Sequence, residues 1–292
     1  MPNATVPLLN FYDRKQGGIR VKNEVIFSRQ NGLVKLICSL ERKKAREESG
    51  LFRFDGIKLC LEAISKGITP EYICVSESRY ESIKARLGGA FELTVVSDEL
   101  FFKMSDEKAP EGVITVAKAP LDIHKHVSAD EKGEFSILPE KSEKVFILES
   151  IRDPGNLGTI IRTAASLGID RVVMTSDCAD IYNSKTIRGA MGALFMQRTD
   201  IVKEGQTENY ISALRRDGRR VFAAALRDDA EKIGKIELLP SDVFVIGNEG
   251  HGISEETITA CNGSVIIPMR EGCESLNAAM AAGILMWETL RS

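Results

Sequence analysis

The 292-residue chain has only three histidines, and its six cysteines (Cys38, Cys60, Cys74, Cys178, Cys261 and Cys273) are scattered without a C-x-x-C pair. The first scarcity argues against a histidine-built metal centre; the second argues against a zinc site and a disulfide framework. Unpaired thiols of this kind belong in a reducing compartment, so a cytoplasmic protein is expected. No apolar run is long enough to span a bilayer. The first residues, MPNATVPLLNFYDRK, lack the basic start and apolar stretch of a signal peptide. No repeat or low-complexity tract is visible, and no G-x-G-x-x-G follows the first strand of the second half, which argues against an ordinary dinucleotide-binding fold.

The pattern that is present divides the chain. Residues 1–25 read as an extension of little periodicity. Residues 26–119 alternate helices and strands, as a small three-layer α/β domain does. Residues 120–143 are polar and irregular and read as a linker, with His124 and His126 as solvated linker residues. Residues 144–292 carry almost wholly apolar strands separated by helices, the pattern of a parallel sheet covered on both faces.

Net charge is −3, yet Arg14 to Lys66 holds 13 Lys and Arg against 6 Asp and Glu. Charge separated in this way can put a basic face on an acidic protein. The densest run, ERKKAREE from Glu41 to Glu48, reads equally as a solvated helix with i,i+4 ion pairs or as a phosphate-contacting face.

Three blocks in the second half share one grammar: apolar strand, loop of Gly and polar residues, helix. They are NLGTIIRTAASLG (Asn156 to Gly168) after VFILES, FVIGNEGHGIS (Phe244 to Ser254), and IIPMREGCESLNAAMAAGILMWE (Ile266 to Glu288). Glycine in such loops lets backbone N–H and C=O groups approach a ligand. Loops of this kind form one pocket at the carboxyl edge of a sheet.

In this order, the blocks resemble the three motifs of the SpoU (TrmH-like) RNA 2′-O-ribose methyltransferases of the SPOUT superfamily. The resemblance implies an α/β fold: a C-terminal α/β-knot methyltransferase domain behind a smaller N-terminal α/β/α RNA-binding domain. It implies S-adenosylmethionine as cofactor, a homodimer, and no metal or membrane. The cofactor would be held by Gly247, Asn248, Gly250 and Gly252, by Ile267, Pro268 and Met269, and by Ser275, Leu276 and Ala278. Arg162 and Asn156 are expected at a substrate phosphate or ribose. Arginine is a poor proton acceptor, so Arg162 would orient the hydroxyl and stabilise developing oxyanion charge. Glu249 would either orient Arg162 or accept a proton. Ser275 is suited to cap the last helix, and Asn277 to contact substrate. His251 receives no role.

The N-terminal domain resembles the substrate-binding module attached to many SpoU enzymes. Its candidate RNA contacts are Arg29, Asn31, Lys35 and Arg42, with Lys43, Lys44, Arg46 and Arg53. The implied substrate is large-subunit (23S) ribosomal RNA. Transfer RNA is the alternative within the class, and a non-catalytic RNA-binding or ribosome-assembly factor the alternative outside it.

Overall fold

The computed structural model describes residues 24–131, 133–135, 137–270, 272 and 275–291. In the N-terminal part, α1 (Gly32–Ser39) and α2 (Lys43–Ser49) precede β1 (Leu51–Asp55) and α3 (Ile57–Ser65). β2 (Pro70–Ser76), α4 (Tyr80–Arg86), β3 (Leu93–Val96), α5 (Asp98–Met104) and β4 (Val113–Lys118) complete it. The sheet order is β1-β4-β2-β3; only β2 and β3 run parallel. Asn31 caps α1, its side chain accepting from Leu33 N and Val34 N. Gly50, at φ 67°, ends α2 in the left-handed region that favours glycine.

The rest comprises β5 (His124–Val127), β6 (Val145–Leu148), α6 (Pro154–Ser166), β7 (Arg171–Thr175), α7 (Ser184–Ala190), β8 (Arg198–Val202) and α8 (Thr207–Arg216). β9 (Val221–Ala224), β10 (Glu231–Lys232), β11 (Val243–Ile246), α9 (Glu255–Ala260), β12 (Gly263–Ile266) and α10 (Ala278–Arg291) follow. The eight strands pair in the order β10-β12-β9-β11-β6-β7-β8-β5, every pair parallel. Strands such as VFIL and VFVI, buried at every position, follow from a sheet covered on both faces. No helix among the described residues is long and apolar enough to cross a membrane.

The stretch read as a linker is tied into the larger sheet. His124–Val127 is its edge strand, in register with Thr199–Val202. Glu143 is buried and accepts from Arg171 at 2.9 Å and Arg198 at 2.7 Å. His124 is not solvated: it is 2 % exposed, its Nδ1 lies 2.6 Å from the Tyr182 hydroxyl, and burial pushes its pKa down to about 4. A four-residue strand with polar residues at its two central positions has too little apolar pattern to betray itself.

The two parts share a core. Phe52 of β1 packs on Tyr182 with ring centroids 4.8 Å apart, and Phe54 on Phe195 at 5.3 Å. Arg46 of α2 donates to Leu40 O at 2.7 Å, to Glu41 O at 2.8 Å, and to the Asp180 carboxylate across the interface. Arg53 is 4 % exposed and donates to Met104 O and Ile37 O, with Asp106 and Glu41 as ion-pair partners. Arg46 and Arg53 are therefore struck from the candidate RNA contacts, because both guanidiniums are buried and held by internal carbonyls and carboxylates, out of reach of a phosphate in solvent.

Asp55, at the end of β1, has its carboxyl pushed up to about 6 by burial, against the lowering hydrogen bond from Ser105. A carboxyl whose folded pKa lies above its unfolded value favours folding fully below the unfolded pKa, and this is lost as pH rises through the folded one. Asp55→Asn is accordingly expected to be more stable than the parent at pH 8, by about 2 kcal/mol after allowance for partial exposure, and equal to it near pH 4. Urea denaturation at the two pH values measures this; a variant less stable at pH 8 contradicts the assignment.

Candidate active site

The loops at the carboxyl ends of β11 and β12 enclose, with the loop after β9, a cavity of about 830 Å³; the first motif's loop, after β6, lies beside it and is tied to the β11 loop through Asn248 and Ser150. Its size lies within the ~300–1,000 Å³ range of small-molecule sites. The loop after β11 is a tight turn closed by two bonds, Asn248 N to Gly252 O at 3.0 Å and Gly252 N to Asn248 O at 2.9 Å. A Cβ on Gly247 would lie 2.4 Å from the Gly252 carbonyl carbon, so this position admits no side chain. Asn248 pins the turn: Oδ1 accepts from Gly250 N and His251 N, and Nδ2 donates to Ser150 O at 2.8 Å, across to the first motif loop.

Of the expected cofactor-contacting residues, Gly247, Asn248, Gly250, Gly252, Ile267, Met269, Ser275, Leu276 and Ala278 line the cavity. Pro268 does not. Asn248 contributes through its backbone, its side chain being spent on the turn.

Three of the five polar residues expected at the chemistry, Asn156, Glu249 and Asn277, form one chain across the three motifs. Asp153 caps α6 by accepting from Asn156 N at 2.7 Å, with Pro154 at the first helical position. Asn156 Nδ2 donates to Glu249 at 2.5 Å. Asn277 Nδ2 donates to Asn156 Oδ1 at 3.0 Å. Asn277 Oδ1 in turn accepts from Ala279 N and Met280 N, so Asn277, and not Ser275, caps α10. Ser275 and Glu249 line the cavity. Arg162 is exposed two turns into α6 and makes no side-chain hydrogen bond or ion pair among the described residues. A cationic fork is thus presented to solvent on the helix that begins at Asn156.

Sequence reasoning missed three parts of this site. The segment from Ala224 to Asp229 lines one wall, with Arg227 paired to Glu255 at 2.9 Å. Its only signal was position, at the carboxyl end of a strand. Ser150 occupies the left-handed region at φ 56°, with its N–H on Thr175 Oγ1 at 2.9 Å; a strained serine leaves no mark in a sequence. Glu149 is buried below the β11 loop, accepting from Ser254 N at 3.2 Å, and a carboxylate ending an otherwise apolar strand was the readable clue.

Comparison with known proteins bears on the same residues. Residues 143–287 match the SpoU rRNA Methylase family, and residues 31–115 the MRM3-like substrate binding domain. The chain is 30 % identical over 263 residues to the 23S rRNA (guanosine(2553)-2′-O)-methyltransferase RlmP of Bacillus subtilis, covering 90 % of this chain and 97 % of that one. It is 27 % identical to human mitochondrial rRNA methyltransferase 3, over 89 % of this chain and 72 % of that one. The crystal structure of an AdoMet-bound rRNA methyltransferase from Sinorhizobium meliloti superposes with a TM-score of 0.74 at 26 % identity, covering 92 % of this chain and 97 % of the other.

Proposed function

We propose, because this chain belongs to the SpoU rRNA methylase family, that it transfers the methyl group of S-adenosylmethionine to a ribose 2′-hydroxyl of large-subunit ribosomal RNA. The observation that carries this reading is the Glu249–Asn156–Asn277 chain, which joins one residue from each motif at the cavity rim. A protein that only bound RNA would have no chemical need to link these three groups beside a cofactor-sized cavity.

The residues present fit S-adenosylmethionine. Gly247, with no room for a Cβ against Gly252, keeps the β11 loop folded tightly along the cavity wall. Ile267, Met269 and Leu276 give apolar walls for an adenine, and Asp228 and Asp229 lie where a ribose or an ammonium group could be met. When bound, the cofactor supplies an already activated sulfonium methyl. The protein's task is then to place a 2′-oxygen in line with it and to keep water out, which can supply several kcal/mol of the barrier. Arg162 holds the adjoining phosphate and the attacking oxygen; Asn156 and Asn277 fix the ribose; Glu249 receives the hydroxyl proton or sets the orientation of Asn156.

The same reading includes a knotted C-terminal segment. β12 lies two strands out from β11, yet the following helix α10 packs against α6 and β11, and this return toward the middle of the sheet supports a knot. It also includes a homodimer: α10 exposes Met280 at 61 % and Trp287 at 57 %, seven residues apart on one face, as an unburied helix seam would. Trp287→Glu combined with Met280→Glu should convert dimer to monomer in light scattering at micromolar concentration; a parent that is already monomeric sinks this part. The free cysteines fit work in the cytoplasm.

The test is transfer of labelled methyl to deproteinised rRNA and, separately, tRNA from cells lacking the protein. Label in the large rRNA supports the reading; label in tRNA alone overturns the substrate. Cofactor binding with no transfer to either RNA, or to assembling ribosomal particles, favours the non-catalytic factor.

A further inference from the structure

The N-terminal domain carries a second cavity, a furrow of about 650 Å³ between α1 and α5 that is separate from the motif loops. Four cationic side chains line it: Arg29, Lys35, Arg42 and Lys103. Arg29, Lys35 and Arg42 are exposed and form no ion pair among the described residues. Lys103 pairs with Glu99, one turn back on the solvent side of α5. The furrow's one lining carboxylate, Glu41, is already engaged from beneath by buried Arg53 at 3.3 Å. Its floor is apolar, with Val34 and Met104. Three unpaired cations and Lys103, set over an apolar floor against Glu41 and Glu99, leave the furrow net positive, as suits a polyanion.

The chain's own N-terminal residues are poor candidates to fill the furrow, since residues 1–23 carry Arg14, Lys15, Arg20 and Lys22 against Asp13 alone. Lys43 and Lys44, on neighbouring α2, lie outside the furrow, each facing an i,i+4 glutamate at 3.9 and 3.8 Å; Lys103 has such a partner too, in Glu99, but lines the furrow.

We infer that the α1–α5 furrow carries one unpaired strand of the substrate RNA, its phosphates held by Arg29, Lys35, Arg42 and Lys103. The inference rests on the RNA methyltransferase reading above and adds where the RNA is gripped away from the methyl-transfer site. A single strand can lay its backbone along the cations and a base against the apolar floor of Val34 and Met104. Phe27, two residues before Arg29 and 72 % exposed, offers a ring for stacking at one end.

The experiment uses the full-length protein and a fluorescein-labelled 20-nucleotide single-stranded RNA, with anisotropy measured from 50 to 300 mM KCl. Each phosphate contact on a single strand contributes about 0.7 to the slope of log affinity against log salt. Lys35→Ala with Lys103→Ala should lower that slope by about 1.4 and weaken binding about tenfold at 0.1 M salt. Lys43→Ala with Lys44→Ala should leave both within about twofold of the parent, and S-adenosylmethionine affinity should be unchanged in both variants. Parent-like affinity and slope in the Lys35/Lys103 variant overturn the furrow, as does a duplex of equal length competing as well as the single strand. Failure of the wider reading looks different: the furrow variant loses RNA affinity while the parent transfers methyl to no RNA.

Discussion

Arg162→Ala is expected to lower kcat for methyl transfer by about 10²–10³ while leaving S-adenosylmethionine affinity within about twofold. The magnitude is that of removing one well-placed donor from a developing oxyanion. The specificity of the loss follows from where Arg162 stands. It projects from α6, caps nothing, pairs with nothing among the described residues, and lies outside the cavity wall. Its removal therefore leaves the loops that would hold the cofactor intact. A shortened side chain on an exposed helical face also costs little stability, so a matched urea midpoint separates lost chemistry from lost fold. Arg162→Lys should recover little, because an ammonium cannot reproduce the two-pronged contact of a guanidinium. Steady-state kinetics with saturating RNA, beside calorimetric cofactor binding, checks both halves. Unchanged kcat would remove Arg162 from the mechanism.

Gly247→Ala should be nearly as severe and of opposite character. The added Cβ would sit 2.4 and 2.5 Å from the Gly252 carbonyl carbon and oxygen and 2.6 Å from Ile253 Cγ1. Two of these three are backbone atoms of the same turn, so relief requires opening the paired Asn248–Gly252 bonds that shape the cavity wall. Overpacking of this kind costs about 1–3 kcal/mol. Spent on the ligand-binding loop, the upper part of that range weakens cofactor binding by about 30–150-fold. Gly250→Ala is the control, since its Cβ would meet nothing nearer than Asn248 Oδ1 at 3.4 Å and its backbone is not left-handed. Equal losses in the two variants would mean that glycine is needed there for flexibility and not for space.

The contrast between the two variants reflects what was legible in the sequence. Apolar strands followed by glycine loops gave the parallel sheet and the place of the cavity, because burial on both faces and close backbone approach leave compositional marks. The N-terminal α/β alternation was equally readable. Charge was not readable at the level of single residues. Arg46 and Arg53 sit in the same basic stretch as Lys35 and Arg42, yet they are buried and committed to carbonyls and carboxylates from distant segments. Lys103, outside that stretch, joins the furrow only through the packing of α1 on α5. Capping at α10 was misjudged by two residues: Ser275 and Asn277 are both good caps, and only the helix start at Ala278 selects between them. The edge strand at His124 was missed because its partner, Thr199–Val202, lies 75 residues away.

The central claim is the chemistry: methyl transfer to a ribose oxygen of large-subunit rRNA. The most direct test digests that rRNA to nucleosides after incubation with the purified protein and labelled S-adenosylmethionine, and identifies the labelled product by mass spectrometry. The account predicts a single 2′-O-methylated nucleoside, with the label on the sugar fragment and absent when Arg162→Ala replaces the parent. Label on a base fragment, or transfer undiminished by that substitution, would contradict it.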